Sequence, residues 1–478
     1  MSFDKVKSSP QGKETLKNAI KQAGLTQEQL HIQTSISLDT IKRLIWTKDL
    51  KKGIPASVDR FAVENIAKAL NLKPTDIVDP KEWKGDKLFQ YRQKFNALIQ
   101  DKQRHFIGRK FVFDAIENFI NTHDKGYFTI VAKPGEGKSS IIANYVDTHP
   151  NCIYYFNVRS DSQNRADQFL ENVCKQLINC YKLGDDQLSL DATRDGNYFK
   201  DLLEIISNKL ADNEKLIIVV DALDEVDLNS QLEGSNVLYL PRYLPDKVYF
   251  ILSRRDEDEI KHRLLIEAPE KIFYLQDYPE KCKEDIRTYI QACIETFDDY
   301  KDKLRIWLER QAITKEKFIN ELVEKSENNF MYLRYVIPQI ADGYYQDLQL
   351  EYIPQGLQNY YRDHWGRMKM DRIKINIVYL LTVVSRPISR QLLSEFATVG
   401  ELQVTEYRVQ EVLNEWSQFI DKIPVDGETR YKVYHQSFAD FLKSDEMVKA
   451  AGVEITNIHG IIADRLWQEL YGDDEEDE

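Results

Sequence analysis

The residues with the clearest chemistry are two glycines, a lysine and two serines in segment 133–140, KPGEGKSS. The glycines let the backbone turn its N–H groups toward a phosphate, Lys138 can reach the β- and γ-phosphates of a nucleotide, and Ser139 can bind Mg²⁺. The segment matches the phosphate loop G-x-x-x-x-G-K-[ST], with Ala132 in place of its first glycine. The predicted nucleotide-binding residues are Pro134, Gly135, Glu136, Gly137, Lys138, Ser139 and Ser140. The alternative is a plain glycine turn between a strand and a helix.

Three acidic residues follow an apolar run later in the chain. LIIVV (216–220) leads into Asp221, and Asp224 and Glu225 come shortly after it. An acid at the carboxyl end of a parallel strand lies where such a sheet meets bound phosphate, so Asp221 is predicted to hold Mg²⁺ together with Ser139. We assign Glu225 as the base that activates the attacking water, with Asp224 as its partner. The alternative is a strand that ends in a solvated acidic turn.

Two arginines, Arg254 and Arg255, end a third apolar segment, 248–255. A guanidinium at a strand end can contact a γ-phosphate and so detect its presence. An arginine in this position can equally form a surface ion pair. The order of the three segments along the chain favours the nucleotide role.

A scaffold that brings strand ends together is needed to position these groups. Apolar runs rich in aromatic and β-branched residues, at 127–131, 152–158, 216–220 and 248–255, alternate with helical stretches such as 165–181 and 198–210. This alternation predicts a parallel sheet with helices on both faces.

Composition limits the other possibilities. A chain of 478 residues is too long for one core, and about three or four domains are expected. No apolar run reaches the roughly 18 residues of a membrane span, and the first residues lack a secretory signal. The five cysteines have no C-x-x-C spacing, which favours reduced thiols in a cytoplasmic protein. The net charge of −13 disfavours nucleic-acid binding over the whole surface, although residues 1–80 have a positive balance.

Several segments resemble the NACHT subclass of STAND nucleotidases, signal-transduction ATPases related to innate-immunity receptors. The stretch LIIVVDALDE (216–225) resembles that subclass in two features: a small residue, Ala222, after the predicted Mg²⁺ aspartate, and a pair of adjacent acidic residues after it. FIGRKF (106–111) is similar to the motif beside the adenine, and FILSRR (250–255) to the first sensor strand. SENNFMYLRYVI (326–337) resembles the end of the helical lid, with Asn328 where the family usually has glycine.

The same resemblance continues into a winged-helix domain and covers about residues 106–445. PQGLQNYYRDHW (354–365) and RPISRQLLSEF (386–396) look like its start, and YKVYHQSFADFL (431–442) like its end. The resemblance implies that Ile107 and Gly108 bind the nucleotide. It also implies that Arg254, and not Arg255, is the catalytic sensor. His435 would contact the β-phosphate of ADP; from the residues alone it can equally be a packed histidine.

The N-terminal segment GLTQEQLHIQTSISLDTIKRL (24–44) resembles the helix-turn-helix domains of phage repressors. Thr26 and Gln29 have the spacing of a capping box, and Ser37 can cap a helix over 38–45. In that reading the DNA-contact candidates are Thr40, Lys42 and Arg43. The alternative is a small helical bundle that binds protein.

The predicted fold is multidomain α/β plus α. It comprises a helix-turn-helix-like domain at 1–80, a linker helix at 81–105, a P-loop parallel-sheet NTPase domain at 106–275, a helical lid at 276–345, a winged-helix domain at 346–448, and a terminal helix with an acidic tail at 449–478.

Family resemblance implies a cytoplasmic signalling switch of the bacterial antiviral-defence kind, with ATP or ADP and Mg²⁺ as cofactors. ADP would keep the domains closed, ATP would open them for self-oligomerisation, and slow hydrolysis would reset the state. No repeated sensor is found, so the sensor is a separate polypeptide or the chain is truncated. The first alternative is a nucleotide-gated, DNA-binding transcription regulator. The second is a scaffold that keeps nucleotide without hydrolysing it.

Overall fold

A computed structural model gives the fold of the chain. It describes residues 5–34, 36–45, 58–79, 87–184, 188, 190–256, 263–343, 350–367, 371–384, 386–398, 403–425 and 427–471. Residues 81–86 of the predicted linker helix and all of the acidic tail 472–478 lie outside these residues. No helix in the described part of the chain is long and apolar enough to cross a membrane. All five cysteines are buried and lie outside any disulfide.

The N-terminal region packs short helices against a two-stranded antiparallel ribbon of β1 (Lys5–Val6) and β2 (Val58–Asp59). The helices are Pro10–Gln22, Gln27–Thr34, Leu38–Ile45 and Arg60–Ala69, with a 3-10 turn at Pro74–Asp76. The capping box is present, because Gln29 N donates to Thr26 Oγ1 over 3.1 Å and Thr26 N donates to Gln29 Oε1 over 2.8 Å. These elements share a small hydrophobic core of their own.

The central region is built on a five-stranded parallel sheet. Its strands are β3 (Gly126–Val131), β4 (Ile153–Phe156), β5 (Leu216–Asp221), β6 (Val248–Arg254) and β7 (Glu270–Tyr274), in the order β4-β5-β6-β3-β7. All neighbouring pairs are parallel, which confirms the predicted sheet. The edge strand β7 was not predicted, because its first residues are exposed and carry no apolar signal.

Helices pack against the central sheet. They are Lys87–Gln103, Lys110–Thr122, Lys138–Thr148, Ala166–Tyr181 and Asn197–Ser207. The first of these, here called the bridging helix, lies within the predicted linker helix 81–105 and packs into the central core through Phe95 and Ile99. Arg92 on the same helix donates to Cys152 O over 2.7 Å, beside the start of β4. The bridging helix is therefore an integral part of the central region.

The C-terminal region combines helices with a three-stranded antiparallel sheet, β8 (Ile388–Ser389), β10 (Glu428–Val433) and β9 (Ile420–Val425), in the order β8-β10-β9. The helices are Pro279–Glu295, Lys301–Arg310, Lys315–Ser326, Phe330–Ala341, Gly356–Arg367, Arg372–Val383, Arg390–Ala397, Glu406–Glu415, Gln436–Lys443, Asp445–Ala451 and Ile455–Tyr471. One hydrophobic core runs through all of these helices and the small sheet. The segments predicted as lid and as winged helix are thus packed on each other.

The carboxyl ends of the parallel strands face this C-terminal region. Val131 pairs with Arg254 and Phe156 pairs with Asp221, so these strand ends lie along one edge of the sheet. Lys432, on β10, donates to Ser160 Oγ over 3.0 Å just beyond the end of β4. The edge that parallel sheets use for ligands is therefore covered by the C-terminal region.

Candidate functional site

The phosphate loop links β3 to the helix Lys138–Thr148. Gly135 and Gly137 have φ of +83° and +94°, in the left-handed region that favours glycine. Lys138 Nζ donates to Ala132 O over 2.7 Å and to Lys133 O over 3.2 Å, so the ammonium lies across the loop. Burial lowers the pKa of Lys138, and the negative charges of Asp224 and Asp221 oppose that shift.

Asp221, at the end of β5, is the buried carboxylate of the site and is 3% exposed. It accepts hydrogen bonds from the hydroxyls of Ser253 and Ser139. Burial raises the pKa of the Asp221 carboxyl, and these hydroxyl groups lower it. A buried carboxylate in this setting favours a cationic neighbour.

The donor set of Ser139 and Asp221 fits Mg²⁺. Within the described residues, no group of three or more His, Cys, Asp and Glu could hold a metal on its own. Mg²⁺ commonly takes one or two protein oxygens and completes its shell with phosphate and water. In this role it would neutralise charge on the bound phosphates, with Ser139 and Asp221 as its protein ligands.

The two acids after β5 differ in their surroundings. Glu225 Oε2 accepts from Arg159 N over 2.9 Å, and loss of solvent raises the pKa of the Glu225 carboxyl to about 7. Asp224 accepts from Arg255 N over 3.0 Å and forms an ion pair with Arg255 Nε at 2.8 Å. Glu225 therefore has the pKa of a proton acceptor near neutral pH, while Asp224 is held by an arginine.

The two arginines at the end of β6 point in different directions. Successive strand residues alternate between faces, and Ser253 contacts Asp221, so Arg255 is directed to the same side. Arg255 lines the cavity described below, whereas Arg254 is 3% exposed, is not among the lining residues, and donates to Arg255 O over 2.9 Å. Arg255 therefore lines the cavity, and Arg254, the residue chosen from the sequence, does not.

His435 caps the start of the helix Gln436–Lys443 and lines the cavity. Its Nδ1 accepts from Ser437 N over 3.1 Å, which leaves the ring proton on Nε2. Burial lowers the pKa of His435 well below its ordinary value, and the nearby cations, Lys102 first among them, lower it further. His435 is therefore a neutral imidazole with an N–H to donate.

Two residues that were not predicted as site residues hold the phosphate loop in place through hydrogen bonds to its backbone carbonyls. Arg109 is 2% exposed; its Nη2 donates to Glu136 O over 2.7 Å and its N to Asp285 Oδ2 over 2.9 Å. Asn329 Nδ2 donates to Pro134 O over 2.9 Å. The loop is thereby tied to the helices Pro279–Glu295 and Phe330–Ala341. The arginine of FIGRKF was a visible signal for Arg109, but its partners lie far away in the chain.

The predicted residues meet in one cavity of about 690 Å³ between the central and C-terminal regions. Its lining includes Ile107, Pro134, Gly135, Gly137, Lys138, Ser139, Ser140, Asp221, Asp224, Glu225 and His435. Gly108 and Glu136 are not lining residues. Gly108 packs closely on the carboxyl group of Asp285, and Glu136 Oε2 accepts from Lys133 N over 2.8 Å. Neither residue faces the cavity directly.

The predicted DNA-contact residues belong to a different core. Lys42 is exposed, and Thr40 and Arg43 are half-exposed, on the helix Leu38–Ile45. Ile41 and Leu44 on the same helix are buried. The structure thus places these residues on the outer face of the N-terminal region, apart from the cavity.

Comparisons with known proteins show a family-model match over part of the chain and distant similarity to two solved structures. Residues 112–245 match the family model "Nephrocystin 3, N-terminal". Among solved structures, the chain is similar to the Walker-type ATPase PABY2304 of Pyrococcus abyssi, with 14% identity, a TM-score of 0.30, and coverage of 71% of this chain and 96% of that one. It is also similar to Drosophila ORC bound to DNA, with 14% identity, a TM-score of 0.28, and coverage of 74% and 98%. No curated protein matches.

These TM-scores are too low to add to what the sheet order and the loop already show. The parallel sheet, the glycine loop ahead of a helix and the acid at the end of β5 are those of an α/β P-loop NTPase.

Proposed function

We propose that the chain is an ATP- and ADP-dependent signalling switch of the NACHT-type STAND class. One observation carries the proposal: the C-terminal region supplies a wall of the nucleotide cavity. His435 lines it, and Arg255 Nη1 at the end of β6 forms an ion pair with Asp440 Oδ2 at 2.6 Å. A nucleotide in the cavity is therefore in contact with both regions, and its phosphates can change how the regions hold together.

Further contacts between the regions support a closed state. Lys432 on β10 also pairs with Asp161, and Arg334 Nη2 binds Asp101 Oδ1 of the bridging helix at 2.7 Å. Within the C-terminal region the Arg334 guanidinium lies 4.7 Å from the Tyr434 ring centroid, and the Tyr434 hydroxyl donates to Asp101 Oδ2 over 3.4 Å. These polar links surround the nucleotide cavity, so they are placed to break and re-form as the cavity contents change.

In the proposed cycle, His435 Nε2–H donates to the β-phosphate of ADP and stabilises the closed form. A γ-phosphate attracts Arg255 and competes with Asp440 for its guanidinium, which favours opening. The opened form self-associates, with residues 346–448 acting as the mobile winged-helix domain. Glu225-assisted hydrolysis then restores the ADP form, and antiviral defence is the biological role that we assign to the switch.

Replacing His435 or Asp440 with alanine is expected to speed ADP release. Each substitution removes a charge-assisted hydrogen bond of about 1.5–3 kcal/mol, which corresponds to about 10- to 100-fold in the release rate. Asp440 is partly exposed, so its effect belongs at the lower end. Stopped-flow displacement of a fluorescent ADP analogue measures the rate, and mass photometry with ATP measures self-association.

Glu446→Ala is the matched control, because Glu446 forms an exposed ion pair with Arg362 in the same region and does not line the cavity. Its ADP release is expected to equal that of the wild type. If His435→Ala and Asp440→Ala both release ADP at the wild-type rate, the proposed closed state is wrong.

A second candidate function, nucleotide-gated DNA binding, is favoured by the outer face of the helix Leu38–Ile45. On this helix Ile41 and Leu44 are buried while Lys42 is exposed. Ser37 Oγ caps the start of the helix by accepting a hydrogen bond from Thr40 N over 3.2 Å. A helix held in this manner can present its polar face to a DNA groove.

This candidate predicts salt-sensitive binding to a defined DNA site. The double variant Lys42→Ala, Arg43→Ala is expected to reduce the slope of log K against log salt by about 2 if both residues contact phosphates. Lys68→Ala, an exposed lysine on the helix Arg60–Ala69, is the control. Failure to enrich any sequence from a random DNA pool would exclude the candidate.

A further inference from the structure

Asn157 is a buried polar residue of the cavity for which the nucleotide roles above give no explanation. It follows directly after β4, is 3% exposed and lines the cavity. Its Oδ1 is buried and has no hydrogen-bond partner within the protein. Buried acceptors are nearly always satisfied, so an unpaired acceptor on a residue of the cavity wall points to a small ligand that reaches it from the cavity.

The orientation of the Asn157 side chain is determined by its neighbour. Nδ2 donates to Asp221 O over 2.7 Å, and Asn157 N donates to the same oxygen over 3.3 Å. A rotated amide would place Oδ1 against that carbonyl oxygen, and two acceptors repel each other. The open group is therefore an acceptor.

An amide oxygen pairs either with a hydrogen-bond donor or with a cation, and the cation of this site is already assigned to Ser139 and Asp221. A hydrogen-bond donor is therefore the partner expected at Oδ1. Ionised phosphate oxygens are acceptors themselves and are excluded as partners. The groups near Asn157 lie at the end of the cavity where the phosphates are expected. Asn157 Nδ2 donates to the backbone oxygen of Asp221, and Arg159 N, two residues after Asn157, donates to the Glu225 carboxylate. The hydrogen-bearing species expected there is water, which bridges polar groups in such sites at little cost.

We propose that Asn157 Oδ1 holds an ordered water at the γ-phosphate end of the cavity, which makes Asn157 a water-positioning residue for hydrolysis. The inference rests on the proposed ATPase function. The water can be the nucleophile that Glu225 deprotonates, or it can belong to the hydration shell of Mg²⁺. Both sources share the same chemistry, a water that donates one hydrogen bond to Oδ1 and is oriented by it.

The test compares Asn157→Ala and Asn157→Ser with Thr129→Val in the full chain. Serine retains a hydroxyl that can donate to Asp221 O but puts no acceptor at the Oδ1 position. Thr129 is the matched control, because its Oγ1 is also buried without a partner but lies within β3, away from the cavity lining. We expect kcat for ATP to fall about 30-fold in both Asn157 variants and to stay within twofold in Thr129→Val.

Binding measurements separate the two sources of water. If the water is the nucleophile, the affinity for a fluorescent ADP analogue is unchanged at every Mg²⁺ concentration. If it belongs to the metal shell, the Asn157 variants need more Mg²⁺ to reach the same affinity. Equal kcat and equal Mg²⁺ dependence in wild type and variants, with all proteins folded by thermal melting, would overturn the proposal.

A crystal structure of the wild type with ADP and Mg²⁺, and one with a non-hydrolysable ATP analogue and Mg²⁺, supply a readout that does not depend on turnover. A water within hydrogen-bond distance of Oδ1 in either complex is expected, and its absence from both would also overturn the inference. If the wild type binds ATP but does not hydrolyse it, the hydrolytic part of the proposed function fails. The crystal structures and the Mg²⁺ dependence of ADP-analogue binding do not require turnover, so they still decide whether Asn157 holds a water.

Discussion

Lys138→Ala is expected to weaken nucleotide binding by at least about 100-fold and to abolish ATP turnover. Lys138 Nζ lies 2.7 Å from Ala132 O and 3.2 Å from Lys133 O, inside a loop whose shape suits phosphate. With a nucleotide bound, this ammonium donates to phosphate oxygens, and each such charge-assisted bond contributes about 1.5–3 kcal/mol. Two lost bonds correspond to a factor of at least about 100 in Kd.

Lys133→Ala provides the comparison for this variant. Lys133 lies five residues away in the same loop, its side chain is exposed, and it does not line the nucleotide cavity. Its backbone carbonyl, which Lys138 contacts, is unchanged by the substitution. Calorimetry with ADP and a phosphate-release assay should show near wild-type values for Lys133→Ala. Wild-type binding and turnover in Lys138→Ala would show that the loop is not the nucleotide site.

Glu225→Gln is expected to leave nucleotide binding within a few-fold of wild type and to lower kcat by about 10²- to 10⁴-fold. A positioned general base contributes a factor of this size, and glutamine keeps the shape of the side chain without its basicity. Glutamine Oε1 can still accept from Arg159 N, which donates to Glu225 Oε2 over 2.9 Å in the wild type. The variant should therefore fold normally and accumulate bound ATP.

The pH dependence of the wild type follows from the same group. Loss of solvent raises the pKa of Glu225 to about 7. A general base works in its deprotonated form, so kcat should rise about tenfold per pH unit below about 7 and level off above it. Glu225→Gln should lose this rise, because its amide does not titrate.

The control for both experiments is Glu233→Gln, since Glu233 is an exposed acid of the same region outside the cavity lining. Its kcat and pH profile are expected to match the wild type. If Glu225→Gln turns ATP over at the wild-type rate, the base is another group. If it also fails to bind ADP, Glu225 has a structural role instead.

Several features were predictable because they are encoded in short stretches of chain. The phosphate loop is contiguous, and its two glycines adopt the left-handed conformations that their spacing suggests. The bridging helix lies within the segment predicted as a linker helix, and β3, β5 and β6 coincide with apolar runs that are typical of buried parallel strands. Asp221 lies at the carboxyl end of β5, as its position after an apolar run predicts, and parallel strands bring such ends to one edge of the sheet.

Other features depend on contacts that no local pattern contains. Arg109 and Glu136 are separated by 27 residues, and Arg109 and Asp285 by 176. Asn329 reaches the carbonyl of Pro134 across 195 residues. Such pairs form only when separate elements pack, and a polar residue on a helix or turn has the same local signature with or without a distant partner.

The chain by itself determined that this protein has a P-loop with a lysine, a serine and an aspartate suited to phosphate and Mg²⁺, because these roles follow from residue type and spacing. Tertiary structure decided which of two adjacent arginines lines the cavity: Arg254 ends β6 in register with Val131, whereas Arg255 lies beyond the strand and pairs with Asp224. It also decided that the C-terminal region closes the cavity through His435 and Asp440. Packing of distant elements, rather than any local preference, brings those side chains to the loop.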